Sequence, residues 1–300
     1  LEWLPGKGAG LSGACWPDIS IGTLPHLYIY NADNPAEGVV AKRRSNAVLV
    51  DHLQAVMTTA DTYGGLEELE ELLDEHQRAR DLDPARAHQL EHLIREAIDR
   101  HHLSDDVDMD TLAFDDLTVR CHEIISSVKN SQTRVGMHVL GDIPQGDDRA
   151  ETINTILRFD SDNPLNTRRL VFDLWDEDIH AALKQPGKRG NNGKTYGQIL
   201  LDADRAAHTL IARLMAGEKT KEAIEKLLGG RPTGDLLDRF ERFADLVGEI
   251  DRRINASREI DVLLAAMAGG HVPAGPSGYL SRGRYDILPT GRNFYNVDPT

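Results

Sequence analysis

Leu24-Pro25-His26-Leu27-Tyr28-Ile29-Tyr30-Asn31-Ala32-Asp33-Asn34-Pro35-Ala36-Glu37-Gly38 is the stretch on which the fold turns. Leu27-Tyr28-Ile29-Tyr30 is aromatic and β-branched, the composition of a short pleated strand. Asn34-Pro35 marks a turn, and residues 37–53 read as a helix. A strand, a loop and a helix in that order form the unit of α/β sheets, whose ligands collect at the C-terminal ends of the strands.

Upstream, residues 1–25 are rich in Gly and Pro without helical period and read as ordered loop. Downstream the period becomes helical. Leu66, Leu69, Leu72 and Leu73 line one face, Leu90, Leu93, Ala97 and Ile98 a second, and Leu117, Cys121, Ile124, Ile125 and Val128 a third. A short apolar run, Met137-His138-Val139-Leu140, is bounded by Gly136 and Gly141 and interrupts the helices. Ile199, Ala203, Ala206, Leu210 and Leu214 predict another helix, and residues 236–267 one long helix closed by Gly269-Gly270. Residues 271–300 return to irregular Gly/Pro-rich chain, and Trp3, Trp16, Tyr279, Tyr285, Phe294 and Tyr295 argue against disorder at the ends. The expected fold is therefore α/β with a predominantly helical middle. Residues 1–60 carry an α/β and loop segment, 61–270 a helical scaffold, and 271–300 an irregular segment that forms one cleft with the first.

Composition narrows the function. The 300 residues carry a formal charge of −15, which disfavours nucleic acid or an anionic membrane as partner, since both need a basic stripe. No stretch approaches the ~20 apolar residues of a membrane span. Two cysteines, Cys15 and Cys121, cannot build a disulfide framework and suit a reducing, cytoplasmic setting. The opening on Leu1 without Met reads as a piece of a longer polypeptide.

Three motifs match catalytic or binding patterns but lack the required context. Gly8-Ala9-Gly10-Leu11-Ser12-Gly13 fits G-x-G-x-x-G, yet Pro5 precedes it and Trp16-Pro17 stops the helix that should follow. In the loop 187–195 the first glycine stands one residue too early for a Walker loop, and the segment before it, 176–185, reads as helix rather than strand. The expectation is no nucleotide site. His88-Gln89-Leu90-Glu91-His92 fits H-x-x-E-H, which would put two imidazoles one helical turn apart for zinc with Glu91 as base. It has no evident third ligand, so a solvated face of an acidic helix is the plainer reading.

Three segments together carry more. They are Leu1-Glu2-Trp3-Leu4-Pro5-Gly6-Lys7 with Leu11-Ser12-Gly13-Ala14-Cys15-Trp16-Pro17-Asp18; Leu24-Pro25-His26-Leu27-Tyr28 with Asn34-Pro35-Ala36-Glu37-Gly38, Ala41-Lys42-Arg43-Arg44 and Asp51-His52-Leu53; and Val272-Pro273-Ala274-Gly275-Pro276-Ser277-Gly278 with Arg284-Tyr285-Asp286-Ile287-Leu288-Pro289-Thr290-Gly291-Arg292-Asn293-Phe294-Tyr295. In order and spacing the chain resembles the family containing the CobN subunit of cobaltochelatase and the H subunit of magnesium chelatase. Trp3-Leu4 and Gly291-Arg292-Asn293-Phe294-Tyr295 lean towards the cobalt branch. The resemblance implies a large tetrapyrrole-binding subunit of a ligase that forms nitrogen–metal bonds, inserting cobalt into a corrin precursor during cobalamin biosynthesis. The alternatives are magnesium insertion into protoporphyrin, a related dechelatase, or a non-catalytic tetrapyrrole carrier. It also implies that ATP is hydrolysed by partner AAA+ subunits and not bound by this chain.

Insertion requires a base for two pyrrole N–H protons, a transient ligand for the divalent metal, and anchors for the ring's peripheral carboxylates. Glu2, between apolar Leu1 and Trp3, is the first candidate for base and ligand, because desolvation raises a carboxylate's pKa. His138 is the second, since neutral imidazole serves both roles. His26 and His52 rank lower, as hydrogen-bonded structural residues. Lys42, Arg43, Arg44 and Arg292 are candidate carboxylate anchors, although for the first three a solvated helix face explains the pattern equally well. Trp3 and Tyr295 are candidates for stacking on the macrocycle.

Overall fold

The computed structural model describes residues 20–59, 65–80, 82–101, 103, 112–130, 132–134 and 137–294. The chain divides into two compact units. The first comprises residues 1–57, 134–167 and 208–300, and the second residues 58–133 and 168–207.

In the first unit the expected strand is present as β1 (Leu27–Asn31). The helix that follows, α1 (Pro35–Ser45), is shorter than the sequence suggests. Pro35 sits in its first turn, where the missing N–H costs nothing. It ends at Asn46, which adopts a left-handed φ of 50° and donates back to the Lys42 carbonyl. The expectation of helix to residue 53 is therefore corrected: Val48–His52 is a second strand, β2, parallel to β1 with Leu27 opposite Val48 and Asn31 opposite His52. Val48 and Val50 are β-branched, and Leu49 and Val50 are fully buried, which favours strand over a helix continuation. The result is a β–α–β unit with Asp51 and His52 at the C-terminal end of β2.

Beneath that unit, Tyr30, Ala41, Ala47 and Leu49 close around Phe294, whose ring meets Tyr30 edge-on at 5.4 Å. Gly38 of α1 permits this, since a Cβ there would lie 2.7 Å from the Phe294 ring. The chain leading to Phe294 runs along β2. Asp51 N–H donates to the Arg292 carbonyl at 3.0 Å, Gly291 N–H to the Asp51 carbonyl at 3.1 Å, and Leu49 N–H to Asn293 Oδ1 at 3.3 Å.

The second unit holds α2 (Gly65–Ala79), α3 (Pro84–Arg100) and α4 (Phe114–Asn130), whose Leu69, Leu73, Ile94, Ala97, Ile98, Leu117, Cys121 and Ile125 form one core, as the helical period indicates. Burial pushes the Cys121 thiol up to about 12, the signature of a packing residue. Asp83 caps α3 by accepting the Arg86 N–H at 3.0 Å. Along the chain there follow α5 (Gly146–Leu157), α6 (Thr167–Trp175), α7 (Ile179–Lys184), α8 (Tyr196–Met215) and α9 (Thr220–Leu228).

Residues 236–267 do not form one helix. They divide into α10 (Gly234–Asn255) and α11 (Glu259–Met267). At the break, Thr290 N–H donates to Ser257 Oγ at 3.0 Å and Arg258 N–H donates to the Thr290 carbonyl at 3.2 Å. Thr290 thus takes the Arg258 N–H that a continuous helix would have directed to the Ile254 carbonyl. In α11 the polarity is inverted: Glu259 is its one buried residue, while Leu264 and Met267 are 59% and 69% exposed. Among the described residues no helix is long and apolar enough to cross a membrane.

Candidate functional site

The first unit contains a buried charged assembly at the C-terminal end of β2, built by four segments distant in sequence. At its centre is Glu259, in the first turn of α11 and 2% exposed. Its Oε1 accepts Leu53 N–H and the Thr290 hydroxyl, both at 2.7 Å. Its Oε2 accepts Gly141 N–H at 2.8 Å and His138 Nε2–H at 2.9 Å. Burial alone would raise the pKa of this carboxyl, but the donors of His138, Gly141, Leu53 and Thr290 outweigh it and hold Glu259 below the usual carboxylate value. A charge so placed is stabilised by four convergent dipoles rather than by water.

His138 is turned inward between exposed Met137 and Val139, with 9% of its side chain accessible. Its ring stacks on that of His52 at 5.2 Å between centroids and 4° between planes. His52 is itself fixed, its Nδ1 donating to the Leu53 carbonyl at 2.6 Å. Imidazole lone pairs lie in the ring plane, so two parallel stacked rings do not chelate one ion between them. His52 therefore acts as a platform for His138.

Beside them lies Asp51, 1% exposed, whose Oδ1 accepts the backbone N–H of Gly291 at 2.8 Å and of Arg292 at 2.5 Å. Burial raises its pKa to about 7 despite those two donors, and the negative charge of Glu259 adds to the rise. One carboxylate held charged and a second poised near neutrality are groups suited to proton handling. Sequence reading places Asp51 in a motif segment without giving it a role, and does not mark Glu259. The available signals are the position of Asp51 after a Val-Leu-Val run and the isolation of Glu259 before an apolar stretch.

Of the residues chosen from sequence, His138 and Arg292 enter this assembly, and His52 joins them although it reads as structural. The Arg292 stem covers Gly275, where a Cβ would lie 2.4 Å from its Cδ. Lys42, Arg43 and Arg44 occupy the last turn of α1, where cations complement the helix dipole; Arg43 is exposed, and partial burial lowers the Lys42 pKa. His26 packs edge-on to Tyr28. Glu2, Trp3 and Tyr295 lie outside the described residues, as does the glycine motif at 8–13.

The other two motifs fall in the second unit. In the 187–195 loop, the N–H groups of Asn191 and Asn192 each donate to the Glu177 carboxylate at 3.1 Å. The amide cradle that resembles a phosphate loop thus holds a side chain of the protein itself. On α3, His88 and His92 meet edge-on at 4.8 Å, and His88 Nδ1 is 3.4 Å from Glu91. Among the described residues no three His, Cys, Asp or Glu side chains are placed to hold a metal ion.

Residues 1–300 match the family model described as CobN/Magnesium Chelatase. The chain belongs to this family. Within it, the chain is 38% identical to the aerobic cobaltochelatase subunit CobN of Pseudomonas aeruginosa, over 99% of this chain and 24% of that protein. It is 27% identical to the H subunit of the magnesium chelatase of Chlorobaculum parvum, over 100% of this chain and 24% of that protein. The catalytic subunit of cobaltochelatase from Mycobacterium tuberculosis has a similar structure, with a TM-score of 0.77 and 32% identity over 99% of this chain and 24% of that one. The chain thus spans about a quarter of the length of these CobN and magnesium-chelatase relatives.

Proposed function

We propose that this chain is part of the large tetrapyrrole-binding subunit of a metal chelatase that inserts cobalt into a corrin precursor in cobalamin biosynthesis. The observation that carries the reading is the buried Glu259–His138 pair beside Asp51, whose carboxylate holds the backbone of Arg292, so that proton-handling groups gather at one strand end. Membership of the CobN/Magnesium Chelatase family supports it. The metal ion is a substrate here, and Glu2 and His138 are its candidate transient ligands as well as candidate bases. Arg292, with Lys42, Arg43 and Arg44, would anchor the ring's carboxylates, and Trp3 and Tyr295 would stack on its faces. The segments 1–60 and 271–300 would wall the cleft, with 61–270 as a mostly helical scaffold that also supplies His138 and Glu259. ATP would be used by AAA+ partner subunits, in the cytoplasm.

Magnesium insertion into protoporphyrin is the second reading, favoured by the similarity to the magnesium-chelatase relative. Absorbance titration of the full-length protein with a corrin precursor and with protoporphyrin separates the two, followed by insertion assays with Co²⁺ and Mg²⁺ in the presence of the partner ATPases. Cobalt-specific insertion into the corrin is expected. Binding of neither ring would refute both readings.

A further inference from the structure

The pairing of His138 with Glu259 has a directional consequence. All four contacts to the Glu259 carboxylate are made by donors, and two of these, Leu53 and Gly141, are backbone amides that cannot act otherwise. The carboxylate is therefore an obligate acceptor, and the His138 nitrogen facing it, Nε2, must carry hydrogen. In a neutral imidazole that leaves the lone pair on Nδ1. The stack on His52, itself tied to the Leu53 carbonyl, fixes the plane in which that lone pair points.

We propose that Glu259 is the positioning residue of the insertion site, holding His138 as the Nε2–H tautomer so that Nδ1 takes a pyrrole proton from the macrocycle. The inference rests on the chelatase reading above. The pyrrole N–H bond breaks as an N–H bond to Nδ1 forms, and its electron pair stays on the pyrrole nitrogen, which binds the incoming divalent ion. The imidazolium so formed has both nitrogens protonated, and its charge lies against the Glu259 carboxylate until the proton passes to water. Glu259 thus sets the tautomer beforehand and stabilises the charge that develops.

Two measurements test this. In ¹⁵N-histidine-labelled protein, with His138 assigned by its absence in His138→Gln, the wild type should show a protonated Nε2 and a bare Nδ1. A His138 signal from the Nδ1–H tautomer overturns the inference, whatever the effect of either variant on insertion. In the full-length protein, His138→Gln keeps an amide that can donate to Glu259 but removes the imidazole Nδ1. Glu259→Gln removes the charge. Both are expected to bind tetrapyrrole within ~2-fold of wild type, with insertion falling ~100-fold for His138→Gln and ~10–100-fold for Glu259→Gln. Wild-type insertion by His138→Gln would reduce His138 to a structural donor, and loss of binding alone in Glu259→Gln would make Glu259 a structural staple; either overturns the proposal. Failure of the wild-type protein to bind a tetrapyrrole would instead overturn the chelatase reading, which is a different result from either variant's failure.

Discussion

Asp51 and Arg292, 241 positions apart, are joined at two points: the Asp51 carboxylate accepts the Arg292 N–H at 2.5 Å, and Asp51 N–H donates to the Arg292 carbonyl at 3.0 Å. Backbone and side chain of one residue thus grip the backbone of the other. The candidate anchor Arg292 is held by β2, at the strand end where α/β units gather their ligands.

This grip sets a pH dependence. Burial lifts Asp51 from 3.8 to about 7, so the native state binds its proton more tightly than the unfolded chain does. Its contribution to stability is then fully present below pH 3.8 and is lost as pH rises towards 7, by up to roughly 4 kcal/mol. In Asp51→Asn the amide oxygen still accepts both N–H groups but carries no charge. Chemical unfolding at pH 4.5 and pH 8 should show the variant gaining on wild type at the higher pH. Equal slopes for the two proteins would rule out Asp51 as the titrating group.

Gly38 and Phe294 form a packing pair that a double-mutant cycle can resolve. Phe294→Ala empties a site 2% exposed and should cost about 3–5 kcal/mol. Gly38→Ala drives a Cβ to within 2.7 Å of that ring and should cost about 1–3 kcal/mol in the wild-type background. In the Phe294→Ala background the same methyl enters the vacated space, so its cost should shrink. Additive losses in thermal unfolding would mean that the two do not share one cavity.

The exposed face of α11 should tolerate polarity. Leu264→Gln and Met267→Gln alter side chains that are 59% and 69% exposed, and each should shift stability by no more than about 0.5 kcal/mol. Urea unfolding of this chain checks it. A loss of several kcal/mol from either would show that the face is packed in solution.

The 187–195 loop predicts a paired result. Glu177→Ala strips the acceptor from the N–H groups of Asn191 and Asn192 and should cost about 1–3 kcal/mol. Purified chain should hydrolyse ATP no faster than a blank, because the amides a phosphate would need are already engaged. Turnover that disappears in Lys194→Ala would contradict that assignment.

The sequence by itself determined the parts whose information is local. Leu27 to Tyr30 form a strand because their side chains suit a pleated surface, and Asn34-Pro35 opens α1 because proline's fixed φ and missing N–H fit a first turn. The helices α2, α3 and α4 appear where the 3.6-residue period places Leu69, Leu90 and Leu117 on buried faces. The three motif-bearing segments carry the family. Tertiary structure decided the rest. Val48–His52 could continue a helix or start a strand on local grounds, and pairing with β1 chose the strand. The break between α10 and α11 arises where Thr290 bonds Ser257 and Arg258. Glu259 lies on an apolar helix with no other fully buried residue, so periodicity gives it no inward role. It is buried because Leu53, His138, Gly141 and Thr290, up to 206 positions away, bring the four donors that a carboxylate needs to remain charged out of water.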